Sequence, residues 1–310
     1  MVKPGWIAGT TRAQLLLARR LGAAQAGLVA RSASLVEGVG ALVGSAYGEH
    51  VQVGDSLSVA ERAVAETLLW HLRILAGWLP GAGAVLVRTL AARFELENID
   101  ARLAALAGDG REPVPFALGG LATVWPRLEH AHTIDEIAAA LADSAWGAPW
   151  RGRSAAELAL GLRVSWARRA WESAPEATTW VAGAGALLVA RELLVAADRS
   201  HVSQLQRLPG IGVDALDAGT LDELRTALPA HARWALVDVG DPSELWRAEL
   251  AWWSRVERDA DTMRRSLEQR AVVVAVVALL AADARHAARA LAAAAHSGTA
   301  DLVEPAGATA

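Results

Sequence analysis

Glu129-His130-Ala131-His132 gathers two imidazoles and a carboxylate within four residues, the donor types that hold zinc. Residues at i and i+2 do not share a helix face, and no second cluster supplies the remaining ligands. Gly81-x-Gly83 and Gly183-x-Gly185 have the opening of a dinucleotide-cradling loop. Neither follows a convincing strand, and Leu86 and Leu188 stand where the third glycine belongs. These glycines are better suited to close helix packing. A phosphate-binding GxxxxGK[ST] is missing, and Lys3 is the only lysine. Asp259-Ala260-Asp261 lacks the paired aspartates of helical prenyl-transferring enzymes, and no G-x-S-x-G supports a serine nucleophile. The spacing therefore assembles no catalytic, metal-binding or cofactor-binding set, and residues for partner binding are not legible.

Two further stretches merit a physical reading. Leu208-Pro209-Gly210-Ile211-Gly212 has the form of a hairpin whose backbone amides contact a DNA phosphate. Such hairpins want a small residue four after the second glycine and basic neighbours. Here Leu216 holds that position, with Asp214 and Asp217 beside it, so a simple turn between lobes is expected. Asn98, the only asparagine, sits within Phe94-Glu95-Leu96-Glu97-Asn98-Ile99-Asp100, an apparent helix where asparagine is mildly unfavourable. A buried hydrogen bond between helices is the expectation, with a partner contact as the other reading.

The elements that would position such residues are helices. Hydrophobic residues make up 53% of the chain but aromatics only 5%, while alanine and leucine dominate and alternating β-branched runs are nearly absent. The net charge of −4 argues against coating nucleic acid, and the lack of cysteine excludes disulfides and thiolate-bound metal. Mean hydropathy is +0.25. The longest apolar run, Ala271 to Ala282, would reach only ~18 Å as a helix against a ~30 Å hydrocarbon core. It is expected to be a buried helix, with no transmembrane segment in the chain. The basic, acid-free first 36 residues resemble a transit peptide in charge, but Leu17, Leu21, Ala24 and Leu28 recur at helical spacing. An integral first helix is the preferred reading, and no secretory signal fits.

The chain repeats. Ser34-Leu35-Val36-Glu37 through Leu42 to Gly48 aligns without gaps on Thr133-Ile134-Asp135-Glu136 through Leu141 to Gly147, at an offset of 99. Ser34 and Thr133 are N-cap types with glutamate three residues on, the capping-box pattern, and Gly48 and Gly147 suit a helix exit or turn. Thr220-Leu221-Asp222-Glu223-Leu224 is a fainter third copy, with Trp234 near the aromatic position. Gly81 to Val87 matches Gly183 to Val189 at an offset of 102. Three helical lobes follow, at 1–110, 111–210 and 211–300, packed as one unit, with 301–310 a flexible tail. Breaks are expected at Gly108-Asp109-Gly110, Gly147-Ala148-Pro149, Leu208-Pro209-Gly210 and Gly240-Asp241-Pro242. Trp234 to Val239 could form one short strand.

The order of these elements resembles the C-type central-stalk protein of V/A-type rotary ATPases, whose eukaryotic counterpart is the d-type protein of the V-ATPase. Gly9 to Leu16 looks like its opening arginine-containing helix, Leu42 to Tyr47 like its segment ending in tyrosine, and Ala92 to Ile99 like its helix with an acidic or hydrophobic pair before Asn-Ile or Asn-Leu. Glu249 to Trp253, then Val272 to Asp283 and Arg285, is similar to its final long helix, which has an acid at the position of Asp283. The family's lysines and tyrosines are largely replaced by arginine, alanine and tryptophan. The resemblance implies an all-α, pseudo-threefold funnel of three similar lobes without an active site. It also implies a cytoplasmic, peripheral position on the membrane. There the funnel would couple the proteolipid ring to the other central-stalk subunits during proton transport, touching the membrane only through those partners. A cytosolic α-helical repeat scaffold for protein–protein interaction is the alternative.

Overall fold

The structure is a computed structural model and describes residues 4–108, 113–147 and 154–300. The expected tail at 301–310, and the centres of the breaks expected after Gly108 and Gly147, lie outside the described residues. Among those described the protein is all-α, without a strand. In chain order the helices are α1 (Pro4–Ala18), α2 (Gly22–Ala30), α3 (Leu35–Val43), α4 (Leu57–Trp78), α5 (Gly81–Leu90), α6 (Arg93–Ala107), α7 (Trp125–Leu128) and α8 (Ile134–Ala142). They continue with α9 (Ala155–Ser173), α10 (Thr178–Ala190), α11 (Val202–Leu205), α12 (Leu221–Ala227), α13 (Ala230–Arg233), α14 (Leu245–Met263) and α15 (Gln269–Ala300).

Compactness does not follow chain order. The described residues up to Pro80, together with those from Arg264 onward, form one unit, and those of Gly81–Met263 form a second. The lobes at 1–110, 111–210 and 211–300 divide the chain by repeat, which is a different criterion. In unit 1 the apolar helix α15 lies against α1, α2, α3 and α4. Its residues Ala271 to Val277 are all buried, which is why this stretch tolerates no charge. A 29-residue span, Gln269–Ser297, is long and apolar enough to cross a bilayer, contrary to the short span expected from the twelve-residue run. A second such span is Pro175–Val195. The Ala-rich continuation of α15 past Asp283 supplies the extra length, and 72% of its most apolar window is buried against its neighbours.

In unit 2, α10 packs on α9, α13 and α14. At Gly183 the packing is tight: a Cβ there would stand 2.5 Å from Trp234 Cζ2, just past α13, and 3.0 Å from Trp252 Cδ1 on α14. The Gly183-x-Gly185 pattern is thus a helix-packing device. The short strand considered at Trp234 to Val239 is instead a 3-10 turn, Trp234–Leu236, continuing from α13. Ala235 and Leu236 are both buried, so the segment lacks the alternation of a half-buried strand, and no partner strand exists among the described residues.

The three helix starts read from the sequence are capped by the expected side chains, and at Thr220 the capping box is complete, with Glu223 also accepting the Thr220 amide at 3.2 Å. Ser34, Thr133 and Thr220 accept the N–H groups of Glu37, Glu136 and Glu223 at 3.3, 3.2 and 3.3 Å. In return the glutamates accept from Ala33, His132 and Gly219, one residue before each cap, at 2.7, 2.7 and 2.8 Å. The three starts therefore share one hydrogen-bonding scheme, which satisfies amide donors that the first turn leaves unpaired.

Candidate functional site

The equivalent helices α3 and α8 end alike. Ser45 and Ser144 donate back to the carbonyls of Leu42 and Leu141, at 2.6 and 2.7 Å, and accept from the amides of Tyr47 and Trp146, both at 3.1 Å. These turns aim one aromatic side chain in each unit inward: Tyr47 is 4% exposed and Trp146 fully buried. Gly48 and Gly147 follow without a positive φ. Their role is close approach, since a Cβ on Gly48 would overlap the Val43 carbonyl oxygen and one on Gly147 would stand 2.9 Å from the Ser144 carbonyl oxygen.

Each buried aromatic donates to a buried carboxylate from a long helix. In unit 1, Tyr47 Oη donates to Asp283 Oδ2 at 2.8 Å, and Asp283 also accepts from the amides of Leu21 (3.0 Å) and Gly22 (2.7 Å). These amides open α2. In unit 2, Trp146 Nε1 donates to Glu95 Oε2 at 2.9 Å. Glu95 Oε1 accepts the amides of Thr123, Val124 and Trp125 at 2.7, 2.8 and 2.8 Å, and these open α7. In both units one carboxylate therefore clamps the start of a short helix to the aromatic residue that ends the next helix. Negative charge at a helix N-terminus is favourable there, and charge-assisted bonds compensate its desolvation.

A basic residue accompanies each clamp, and the two differ. The cap of α4, Ser56, and that of α9, Ser154, are 98 residues apart, and the same step carries Thr67 to Ser165 and His71 to Arg169. Arg169 stacks over the Trp146 ring, 4.6 Å from its centroid. Burial lowers its pKa, the Glu95 charge opposes that, and a guanidinium stays charged throughout the ordinary pH range. His71, 6% exposed, is the residue at the corresponding sequence step in unit 1. Burial, with Arg19 next in weight and Asp283 opposing, pushes its pKa down from 6.5 to about 4. It is thus neutral near pH 7. Tyr47 moves upward, first through burial and then through the charge and hydrogen bond of Asp283, so its phenol keeps its proton.

The third copy departs from this plan. Stepping 102 residues on from Glu95 reaches Ala197, in the left-handed region at φ 52° after a π-helical turn, Arg191–Val195. No carboxylate can clamp from that position. An arginine shared with the second copy remains. Arg102 donates through Nε and Nη2 to the Ala131 carbonyl, two residues before the Thr133 cap. Arg199 donates to the carbonyls of Leu216 and Ala218, the latter two residues before the Thr220 cap.

The stretches singled out for chemistry do not converge. His130 is exposed, with Nε2 3.4 Å from Glu129, and no group of three metal-type side chains occurs among the described residues. Gly81 lies in the first turn of α5 with open space around it. Asp259 accepts from Trp180 Nε1 at 3.1 Å, a link between α10 and α14. The turn at Gly210 has φ 72°, and a Cβ there would stand 2.9 Å from His231 Nε2 and 3.0 Å from the Trp171 ring. It leads into a 3-10 turn, Val213–Leu216, where a DNA-contacting hairpin would need a second helix. Asn98 is buried, but its partner is not a helix. Its amide brackets Phe116 in a segment without regular secondary structure, donating to the carbonyl at 3.0 Å and accepting the amide at 2.7 Å. The backbone of a buried residue outside regular structure needs such a partner, and asparagine offers both a donor and an acceptor.

Glu95, Asp283, His71 and Arg169 carry no local pattern that assembles them in the sequence. The in-phase Tyr47 and Trp146 are the available signal, because a recurring buried donor requires a recurring acceptor. No family model and no curated protein matches the chain.

Proposed function

We propose that the protein is a non-catalytic coupling component, the central-stalk rotor subunit of a V/A-type rotary ATPase. In this reading three related helical lobes form a funnel on the cytoplasmic face of the membrane. The funnel joins the rotating stalk to the proteolipid ring during proton transport. The observation that carries the reading is the repeated clamp. Asp283 and Glu95 are spent on holding helices together, each satisfied by backbone amides and an aromatic donor, and neither is turned toward a substrate. A part that transmits torque needs stiffness more than reactivity, and close-packed interiors crossed by satisfied polar clamps resist deformation. The resemblance of Leu42 to Tyr47, Ala92 to Ile99 and the α15 acid to that family supplies the identity of the partners.

The test is affinity purification from the native host in mild detergent, with subunits identified by mass spectrometry. Co-purification with proteolipid and stalk subunits is expected. Recovery of the protein free of every ATPase component sinks the reading, and recovery with soluble partners alone favours a scaffold.

A further inference from the structure

The two clamps share a plan but not a basic group, and that difference has a consequence independent of the proposed rotor role. His71 on α4 is buried and feels the charges of Arg19 just past the end of α1, Asp283 on α15, His50 in the α3–α4 connection and Arg12 on α1. His50 Nδ1 lies 3.0 Å from Thr67 Oγ1, one turn before His71. At the repeat-equivalent position of unit 2, Arg169 carries its charge permanently and stacks on Trp146. We propose that unit 1 contains an acid-sensitive latch: protonation of His71 adds a buried positive charge beside Arg12 and Arg19 and loosens α1 and the start of α2 from α15, while unit 2 keeps its clamp.

The groups around His71 oppose one another, and their balance gives the direction. Asp283 would welcome an imidazolium, but its oxygens are already engaged by Tyr47 and two backbone amides. Burial, the two arginines and any charge on His50 all disfavour it. The unfolded chain takes up this proton near pH 6.5 and the folded unit only near pH 4, so stability is full above pH 6.5 and is lost as pH falls toward 4. That separation corresponds to roughly 300-fold in the opening equilibrium when complete, and about 30-fold at pH 5.

Hydrogen exchange by mass spectrometry at pH 7 and pH 5, corrected for intrinsic rates, tests the latch on the intact chain. Peptides from α1 and α2 are expected to lose protection by tens-fold, and peptides from α7 and α8 by no more than a few-fold. His71→Gln removes most of the loss in unit 1, and Arg169→His creates a comparable loss in unit 2. Equal loss in both units of the unmodified protein overturns the proposal, as does an undiminished loss in His71→Gln. If either variant does not fold, the unit-against-unit comparison in the unmodified protein still decides.

Discussion

Unit 1 and unit 2 solve one problem with different side chains. Each anchors the first turn of a short helix on a carboxylate, and each spends an aromatic donor on that carboxylate. In unit 1 the set is Asp283, Tyr47 and His71; in unit 2 it is Glu95, Trp146 and Arg169. The tyrosine hydroxyl can donate or accept, whereas indole N–H only donates. The histidine is neutral near pH 7, whereas the arginine is not. Unit 1 therefore holds an adaptable clamp and unit 2 a committed one. The copies share an architecture but not a tolerance to change.

The largest effect should come from removing the carboxylate charge in the committed clamp. Glu95→Gln sets an amide N–H against Trp146 Nε1–H or against three backbone amides and strips Arg169 of its counter-charge. A loss of ~3–5 kcal/mol is expected, read by urea denaturation with unit-resolved hydrogen exchange. Asp283→Asn should cost only ~1–3 kcal/mol, because Tyr47 can turn and accept while a single backbone amide loses its partner. Equal costs would break the comparison.

Glycine comes next. Gly48→Ala drives its Cβ into the Val43 carbonyl oxygen, whereas Gly147→Ala meets the Ser144 carbonyl oxygen at 2.9 Å. Backbone cannot step aside as a side chain can, so ~2–3 kcal/mol is expected at Gly48 and a smaller loss at Gly147. Thermal unfolding of the two variants side by side checks the order.

The caps should give the smallest and most uniform effect. Ser34→Ala, Thr133→Ala and Thr220→Ala each remove one acceptor from the same geometry, and each is expected to cost ~1 kcal/mol. A cost at Thr220 well below the other two would show that the third copy no longer depends on its cap.

Much of the fold is legible in the sequence, and the reason is locality. The side-chain N-caps, the Ser-x-aromatic-Gly helix exits and the close packing at Gly183 depend on residues within a turn or on the absence of a side chain. Such features survive in a one-dimensional pattern at offsets of 99 and 102. A strand at Trp234 to Val239 is a misleading reading because a six-residue stretch, apolar but for Asp238, does not reveal which of its residues face inward. Asn98 is legible as buried, but its partner is not, because the irregular run around Phe116 carries no signal of its own.

By itself, then, the sequence determined that the chain is all-α, where three of its helices begin and that two of its segments are copies. The tertiary structure alone decided which acid serves which aromatic. Asp283 lies 236 residues from Tyr47, and Glu95 lies 51 from Trp146. Pairing across such distances is set by how α15 and α6 pack, not by any local preference. It also decided that the same helical position holds a titratable base in one unit and a permanent cation in the other. A histidine's charge depends on burial and neighbouring charges, and both come into being only when the chain folds.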